Sequence, residues 1–234
     1  MIRLDKYLAD MGVGTRTEVK KYIRQGKVTV NGVIQKVPET KVDVDNQQIC
    51  YAGQSISYDA FEYYMLNKPA GVVSATTDAK EQTVIDLIID KKRKDLFPVG
   101  RLDKDTEGLL LITNDGELAH RLLAPRNHVD KVYFAKVEGN VTMEDVDLFS
   151  NGLSIGDGEV TRPAELEILV SDEISEIRLT IQEGKFHQVK RMFESVGKKV
   201  IYLKRLSMGT LKLYENLAPG EYRMLTDKEL KELC

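Results

Sequence analysis

Gly100-Arg101-Leu102-Asp103-Lys104-Asp105-Thr106-Glu107-Gly108-Leu109-Leu110-Leu111-Ile112-Thr113 joins a loop dense in charge to an unbroken apolar run. Leu109–Ile112 is too apolar for a surface segment, and its length favours a buried strand over a helix. A carboxylate placed just ahead of such a strand has a rigid mounting. The flanks supply the rest of a sheet. Tyr63-Tyr64-Met65-Leu66 reads as a strand, Asn67-Lys68-Pro69-Ala70-Gly71 turns the chain, and Val72-Val73-Ser74 resumes extended structure. A helix is predicted near 84–92. Asn114 and Glu117 have capping-box spacing for a helix through Leu123, stopped by Pro125. Further on, strands are predicted at 132–137, 165–170, 176–181, 200–203 and 222–225, with helices at 141–151 and 187–195. Strands outnumber helices and do not alternate regularly with them. The expected fold is therefore α+β, a mostly antiparallel mixed sheet flanked by helices and loops.

The first 58 residues read differently. Leu4, Leu8 and Met11 keep helical spacing until Gly12-Val13-Gly14 breaks the run. Thr15 stands three before Glu18, the spacing of a capping box, and Val19, Tyr22 and Ile23 supply an apolar stripe that ends near Gly26. Lys27–Val30 alternates like a strand and Asn31-Gly32 signals a hairpin. A further short strand is read at 48–51 and a linker at 52–60. Two domains are expected, a small α/β module over 1–58 and a larger one over 61–234.

Composition narrows the class. Of 234 residues 42% are hydrophobic and 30% charged, which suits a globular chain with a real core. No apolar run approaches the roughly 18 residues that suggest a membrane span. Met1-Ile2-Arg3-Leu4-Asp5-Lys6 is charged at once and has no apolar leader pattern, so no secretory signal is expected. Cys50 and Cys234 form neither a CxxC pair nor a metal spacing. A cytoplasmic protein with no membrane partner is expected. The net charge of −3 hides two basic stretches. Residues 1–36 carry eight Lys and Arg against three acidic residues, and 184–205 carry seven against Glu194 alone. Such patches in an otherwise acidic chain suit a polyanion, although each alone reads equally as a solvated face.

Common catalytic inventories are absent. His120, His128 and His187 have no metal-site spacing, and there is no GxSxG, GxxxxGK or GxGxxG. What remains is the acidic loop of Asp103, Asp105 and Glu107. From chemistry alone, capping a helix or a turn is the commoner use of such residues. A paired-carboxylate hydrolase is a further reading.

The stretch Gly100–Leu110 resembles the signature loop of RNA pseudouridine synthases, in the form used by the RsuA and RluB/E/F group. Three more segments agree in order and spacing: Tyr64–Val72, Lys131-Val132-Tyr133, and Glu183-Gly184-Lys185-Phe186-His187-Gln188-Val189-Lys190-Arg191-Met192. The resemblance covers roughly 61–230, and the hairpin module ahead of it resembles the αL-type RNA-binding domain fused to many of these enzymes.

The resemblance implies isomerisation of uridine to pseudouridine, with no cofactor and no metal. It assigns Asp103 to the ribose, as nucleophile or as base, and Lys190 to the cation that pairs with it. Many relatives have Arg at that position, whose planar fork Lys cannot match. Arg191 is the second choice for the pairing, and phosphate binding is the alternative role for both. Tyr133 is carried over as the aromatic that stacks on the target uracil, with core packing as its alternative. Arg101 is expected to shape the loop or help extrude the nucleotide, and Leu203 to wall the pocket or pack in the core. Arg3, Arg16, Lys20, Lys21 and Arg24 are expected to hold phosphates and structured RNA rather than read bases. Ala124–Tyr133 and Lys185–Gln188 look more like the small-subunit (16S) version than the large-subunit (23S) one. The expected partner is thus 16S rRNA or a small-subunit assembly intermediate, met by a monomer. A non-catalytic rRNA-binding factor is the rival from another class.

Overall fold

The chain begins with a two-residue strand, β1 (Ile2–Arg3), and a helix, α1 (Leu4–Asp10), that ends at Gly12, φ +74°. The computed structural model describes residues 1–233. Thr15 then caps α2 (Arg16–Arg24): its hydroxyl accepts from Glu18 N at 3.3 Å while the Glu18 carboxylate accepts from Thr15 N at 2.8 Å. This is the reciprocal box the spacing predicts, and it satisfies two amides that the first turn leaves unpaired. Strands β2 (Val28–Val30) and β3 (Val33–Gln35) meet across Asn31-Gly32, both at positive φ as a tight hairpin requires. They are followed by β4 (Lys41–Val42), β5 (Ile49–Tyr51) and β6 (Gln54–Ile56). The antiparallel order is β3-β2-β5-β6, with β1 paired to β4. Strand β6 occupies part of the stretch expected as linker. Leu4, Leu8, Val19, Ile23, Val28 and Ile49 form the core of this unit, each with at most 1% of its surface exposed. Side chains of this kind contribute about 1.5–3 kcal/mol each on burial.

By contacts the chain divides into Met1–Glu62 with Ile89–Leu96, and Tyr63–Ile88 with the chain from Phe97 on. Residues 89–96 join the first unit through Arg93, 4% exposed, which is held by Asp95 at 2.6 Å and lies 3.6 Å from Asp10. The Glu62 carboxylate also accepts from the amides of Lys92 and Arg93. The helix expected near 84–92 does not form. Those residues make turns instead, with the Asp86 carboxylate taking the amide and hydroxyl of Thr83. The apolar spacing of Val84, Ile85 and Ile88 reflects their burial one by one rather than a helical face.

The second unit runs β7 (Tyr63–Lys68), β8 (Phe97–Pro98), β9 (Glu107–Thr113), α3 (Gly116–Leu123) and β10 (Lys131–Glu138). Then come α4 (Met143–Asn151), β11 (Glu165–Val170), β12 (Ile174–Ile181), α5 (Gln188–Ser195) and β13 (Lys199–Met208). It ends with β14 (Leu211–Lys212), β15 (Tyr222–Met224) and α6 (Asp227–Leu233). Helix α3 is capped one residue later than its spacing suggests. The Asp115 carboxylate, not Asn114, accepts from Glu117 N and Leu118 N. Nine strands form one mixed sheet among the described residues, ordered β11-β12-β10-β13-β9-β7-β15, with β14 on β13 and β8 on β9. Leu109, Leu110, Leu111 and Ile112 in β9 are all fully buried, so both faces of the strand are covered and alternation vanishes. No helix among the described residues is long and apolar enough to cross a membrane.

Strand pairs in this sheet are antiparallel except β9 with β13, which run parallel and pair Glu107 with Lys204 and Gly108 with Arg205. Gly108 sits at φ +100°, and a Cβ there would lie 2.2 Å from the Arg205 carbonyl oxygen and 2.7 Å from its nitrogen. Only a residue without a side chain lets the two strands meet at that point. Gly108→Ala adds left-handed strain to a backbone clash, a cost of about 3 kcal/mol. Thermal unfolding should then show a Tm lower by about 6–12 °C. Gly116→Ala meets open space at ordinary φ at the start of α3 and should hold or slightly raise Tm. Equal Tm values for the two variants would contradict this account of the strand junction.

Candidate active site

The loop from Gly100 to Glu107 is fastened by the stretch that follows β7. The Ser74 hydroxyl donates to Leu102 O at 2.8 Å and accepts from Leu102 N at 3.1 Å. Gly71 N donates to Lys104 O at 2.7 Å, and Thr106 N closes a turn onto Asp103 O at 3.1 Å. Beneath the loop lies Lys68, with no exposed surface, whose ammonium donates to Pro69 O, Lys104 O and Thr106 O at 3.0, 3.2 and 2.8 Å. Burial pushes its pKa down to about 8, against the pull of the Asp105, Asp103 and Glu107 carboxylates. Sequence reasoning misses Lys68. The one signal it offers is a lone lysine closing an otherwise buried strand, a placement that requires a partner.

The Asp103 side chain is 26% exposed and meets two basic groups: Lys190 Nζ at 3.3 Å from Oδ2, and His187 Nε2 at 3.5 Å from Oδ1. Lys190 is shared. Its shorter contacts, 2.7 and 2.9 Å, go to Asp105. Burial lowers the Lys190 pKa, but the Asp105 hydrogen bond and the two carboxylate charges outweigh it and hold the group above the ordinary lysine value. The same hydrogen bond holds Asp105 below the usual carboxylate range. The family resemblance assigns no role to Asp105 or His187, and Asp105 enters the sequence reading only as a possible second carboxylate of a hydrolase; proximity to Asp103 is what marks both.

Arg191 is turned away from this pair. Its guanidinium donates to Ile155 O (2.9 Å), Glu159 (2.6 Å), Phe186 O (3.2 Å) and Gly156 O (3.2 Å), and lies 3.4 Å from Asp157. It fastens the 155–159 turn to α5, so neither the alternative pairing with Asp103 nor a free phosphate-binding guanidinium is seen. Neighbours on a helix point about 100° apart, which is why Lys190 and Arg191 part company here.

Asp103, Thr106, Tyr133, Lys190 and Leu203 line a cavity of about 70 Å³, with Arg101 at its edge. A wider opening of about 650 Å³ adjoins it and shares Asp103, Tyr133 and His187, adding Lys131, Phe186 and Arg205. Tyr133 and Leu203 are 7% and 6% exposed, on the neighbouring strands β10 and β13, whereas Arg101 is exposed. The arrangement sets a carboxylate beside an ammonium against apolar and aromatic walls. Such a site accepts a flat, uncharged ring while presenting a charged group to whatever carries it.

In the first unit, Arg16, Lys20 and Arg24 stand four residues apart on one face of α2, beside the stripe of the buried Val19 and Ile23. Lys21 is exposed beside them. Arg3 is already engaged, by buried Asp5 at 2.7 Å and by Glu39 at 3.2 Å, and Lys20 lies 3.9 Å from Asp5. Among the described residues Arg16, Lys21 and Arg24 make no ion pair, so α2 rather than Arg3 presents the uncommitted charge.

Residues 62–195 match the family described as RNA pseudouridylate synthase, and residues 2–48 match the S4 domain. A Bacillus subtilis protein named uncharacterized RNA pseudouridine synthase YtzG is 49% identical over 98% of this chain and 97% of its own. The ribosomal small subunit pseudouridine synthases A of Vibrio cholerae and Escherichia coli are 40% and 38% identical, over 99% and 98% of both chains. A crystal structure of a pseudouridylate synthase superposes with a TM-score of 0.70 at 36% identity, over the full length of both chains. With its acidic loop, its aromatic cavity and these full-length likenesses, the chain belongs to the RNA pseudouridine synthases, isomerases of uridine in RNA, and carries an S4 domain at its N-terminal end.

Proposed function

We propose that this chain converts one uridine of small-subunit (16S) rRNA to pseudouridine, with Asp103 acting on the ribose. The observation that carries the reading is the Asp103–Lys190 contact of 3.3 Å at a cavity walled by Tyr133 and Leu203. In the reaction the bond from C1′ to uracil N1 breaks and one from C1′ to C5 forms, while C5 loses a proton and N1 gains one. All heavy atoms and electrons are conserved, so no cofactor is called for. Asp103 serves either as nucleophile at the sugar or as the base that takes its proton. Lys190 supplies the counter-charge, shared with Asp105. Tyr133 stacks on the uracil after it leaves its helix, which offsets part of the unstacking cost of a few kcal/mol. Leu203 closes the cavity, and Arg101 attends the loop from its exposed edge.

The 16S assignment rests on the two relatives named for the small subunit, which match along the whole chain. The residues of the 124–133 and 185–188 stretches support it. The N-terminal domain, taken as 1–58, holds phosphates through α2 and raises the effective concentration of the catalytic domain, 61–234, at one rRNA site. A monomer working in the cytoplasm, where the ribosome is assembled, fits this role.

Tritium release from C5-labelled uridine in 16S rRNA is the direct assay. Asp103→Asn should lower the rate by roughly 10²–10⁴-fold; full release would remove Asp103 from the chemistry. Carbodiimide primer-extension mapping of rRNA from a deletion strain should show one pseudouridine stop missing from 16S. A stop missing only from 23S would overturn the substrate assignment. Replacing Arg16, Lys21 and Arg24 together by Ala should flatten the slope of log affinity against log salt by about 2 to 3, at roughly 0.7–0.9 per phosphate contact. An unchanged slope would place the RNA contacts elsewhere.

A further inference from the structure

Phe186 is 76% exposed, yet the backbone around it is hydrogen-bonded on both sides. Its carbonyl oxygen accepts from Arg191. The backbone on either side is tied by Lys185 N to the Gln188 side chain (2.9 Å), Gln188 N to Lys185 O (3.2 Å) and Arg191 N to His187 O (3.0 Å). Gln188 is in turn held by Glu183 at 2.9 Å. His187 sits in the left-handed region at φ +49°, a conformation that costs a residue other than glycine and persists only where the surroundings impose it. The result is a stack. The Phe186 ring lies on the His187 imidazole with centroids 3.9 Å apart and planes 16° from parallel, and that imidazole in turn reaches to 3.5 Å from Asp103.

Apart from the His187 stack the Phe186 ring is mostly exposed, and it lines the 650 Å³ cavity that Asp103 and Tyr133 also line. Arg101 and Lys185 border the same opening and make its surroundings suitable for a phosphodiester chain. Taking a uridine out of its helix strips its neighbours of a stacking partner. We propose that Phe186, propped by His187, is a stacking platform for a nucleobase adjacent to the target uridine. This rests on the Asp103 cavity being the uridine site. The platform is sequence-tolerant, because every base has a π-face, and it places the flanking base two ring layers from Asp103. Phe186 is thus a substrate-binding residue, and His187 the residue that positions it.

The chain contains no tryptophan, so Phe186→Trp introduces a single indole reporter at the platform. The probes are uridine monophosphate, which offers no flanking base, and the trinucleotide ApUpA, which offers one on each side. The full-length wild-type chain should bind ApUpA more tightly than the mononucleotide. Phe186→Ala should lose roughly tenfold of the ApUpA affinity, the size of one base–aromatic stack. Phe186→Tyr should restore it, which separates stacking from any effect on folding. The indole of Phe186→Trp should be quenched by ApUpA and not by uridine monophosphate. Equal ApUpA affinity in wild type and Phe186→Ala, no ApUpA advantage in wild type, or an indole blind to ApUpA would each overturn the platform. Asp103→Asn keeps the two readings apart: it should retain the ring-dependent ApUpA affinity while losing tritium release. Full release by that variant would remove the catalytic role of Asp103 and leave the platform standing.

Discussion

The ammonium of Lys68, shut away from water at the end of β7, is the fastening on which the Asp103 loop depends. A charge in such a place is tolerated only when its hydrogen bonds are made. Lys68 makes them to carbonyl oxygens at 69, 104 and 106, two of which belong to the loop itself. The loop's shape is thereby set by the demand of a buried cation for oxygen, and three acidic side chains lie within its field. Acidic residues crowded into five positions would otherwise repel one another. Lys68 from below and Lys190 from α5 divide that charge between them.

Glycine does the complementary work. Lys68 settles the loop against β7, but the loop meets Lys190, Tyr133 and Leu203 only because β9 lies directly against β13. The parallel contact at Gly108 and Arg205 brings a carboxylate from one half of the sheet to the aromatic and basic residues of the other half. Arg205, 2% exposed, adds a second tie by donating to Leu109 O at 2.7 Å.

Much of this is legible in the amino-acid sequence. The apolar run of β9, the alternation of β10 and the hairpin at Asn31-Gly32 carry local physics that survives folding, and Asp103, Tyr133, Lys190 and Leu203 come together as the motif resemblance implies. Geometry set by distant partners is not legible there. The apolar residues at 84–88 keep helical spacing but are buried individually in turns, so their period misleads. Arg191 is a cation adjacent to Lys190, and which of the two faces Asp103 depends on the helix phase and on the 155–159 turn that takes up Arg191, neither of which the motif shows. The α6 helix (Asp227–Leu233) and the strand β6 (Gln54–Ile56) are short elements whose local patterns are weak. Lys68 has the same character: its burial is a property of the strands around it.

The β9–β13 junction also governs how the protein comes to life. The acidic loop is synthesised about a hundred residues before the strand that completes its surroundings. Loop closure over that separation must be met before its contacts return anything, so the pocket cannot form until β13 has been made. A nascent chain that has emerged only as far as α4 carries Asp103 and Tyr133 but no Lys190 and no Leu203. Chemistry in this architecture is therefore all-or-none along the chain. The finished S4-type module can already hold its tightly capped helix while the site that alters RNA does not yet exist.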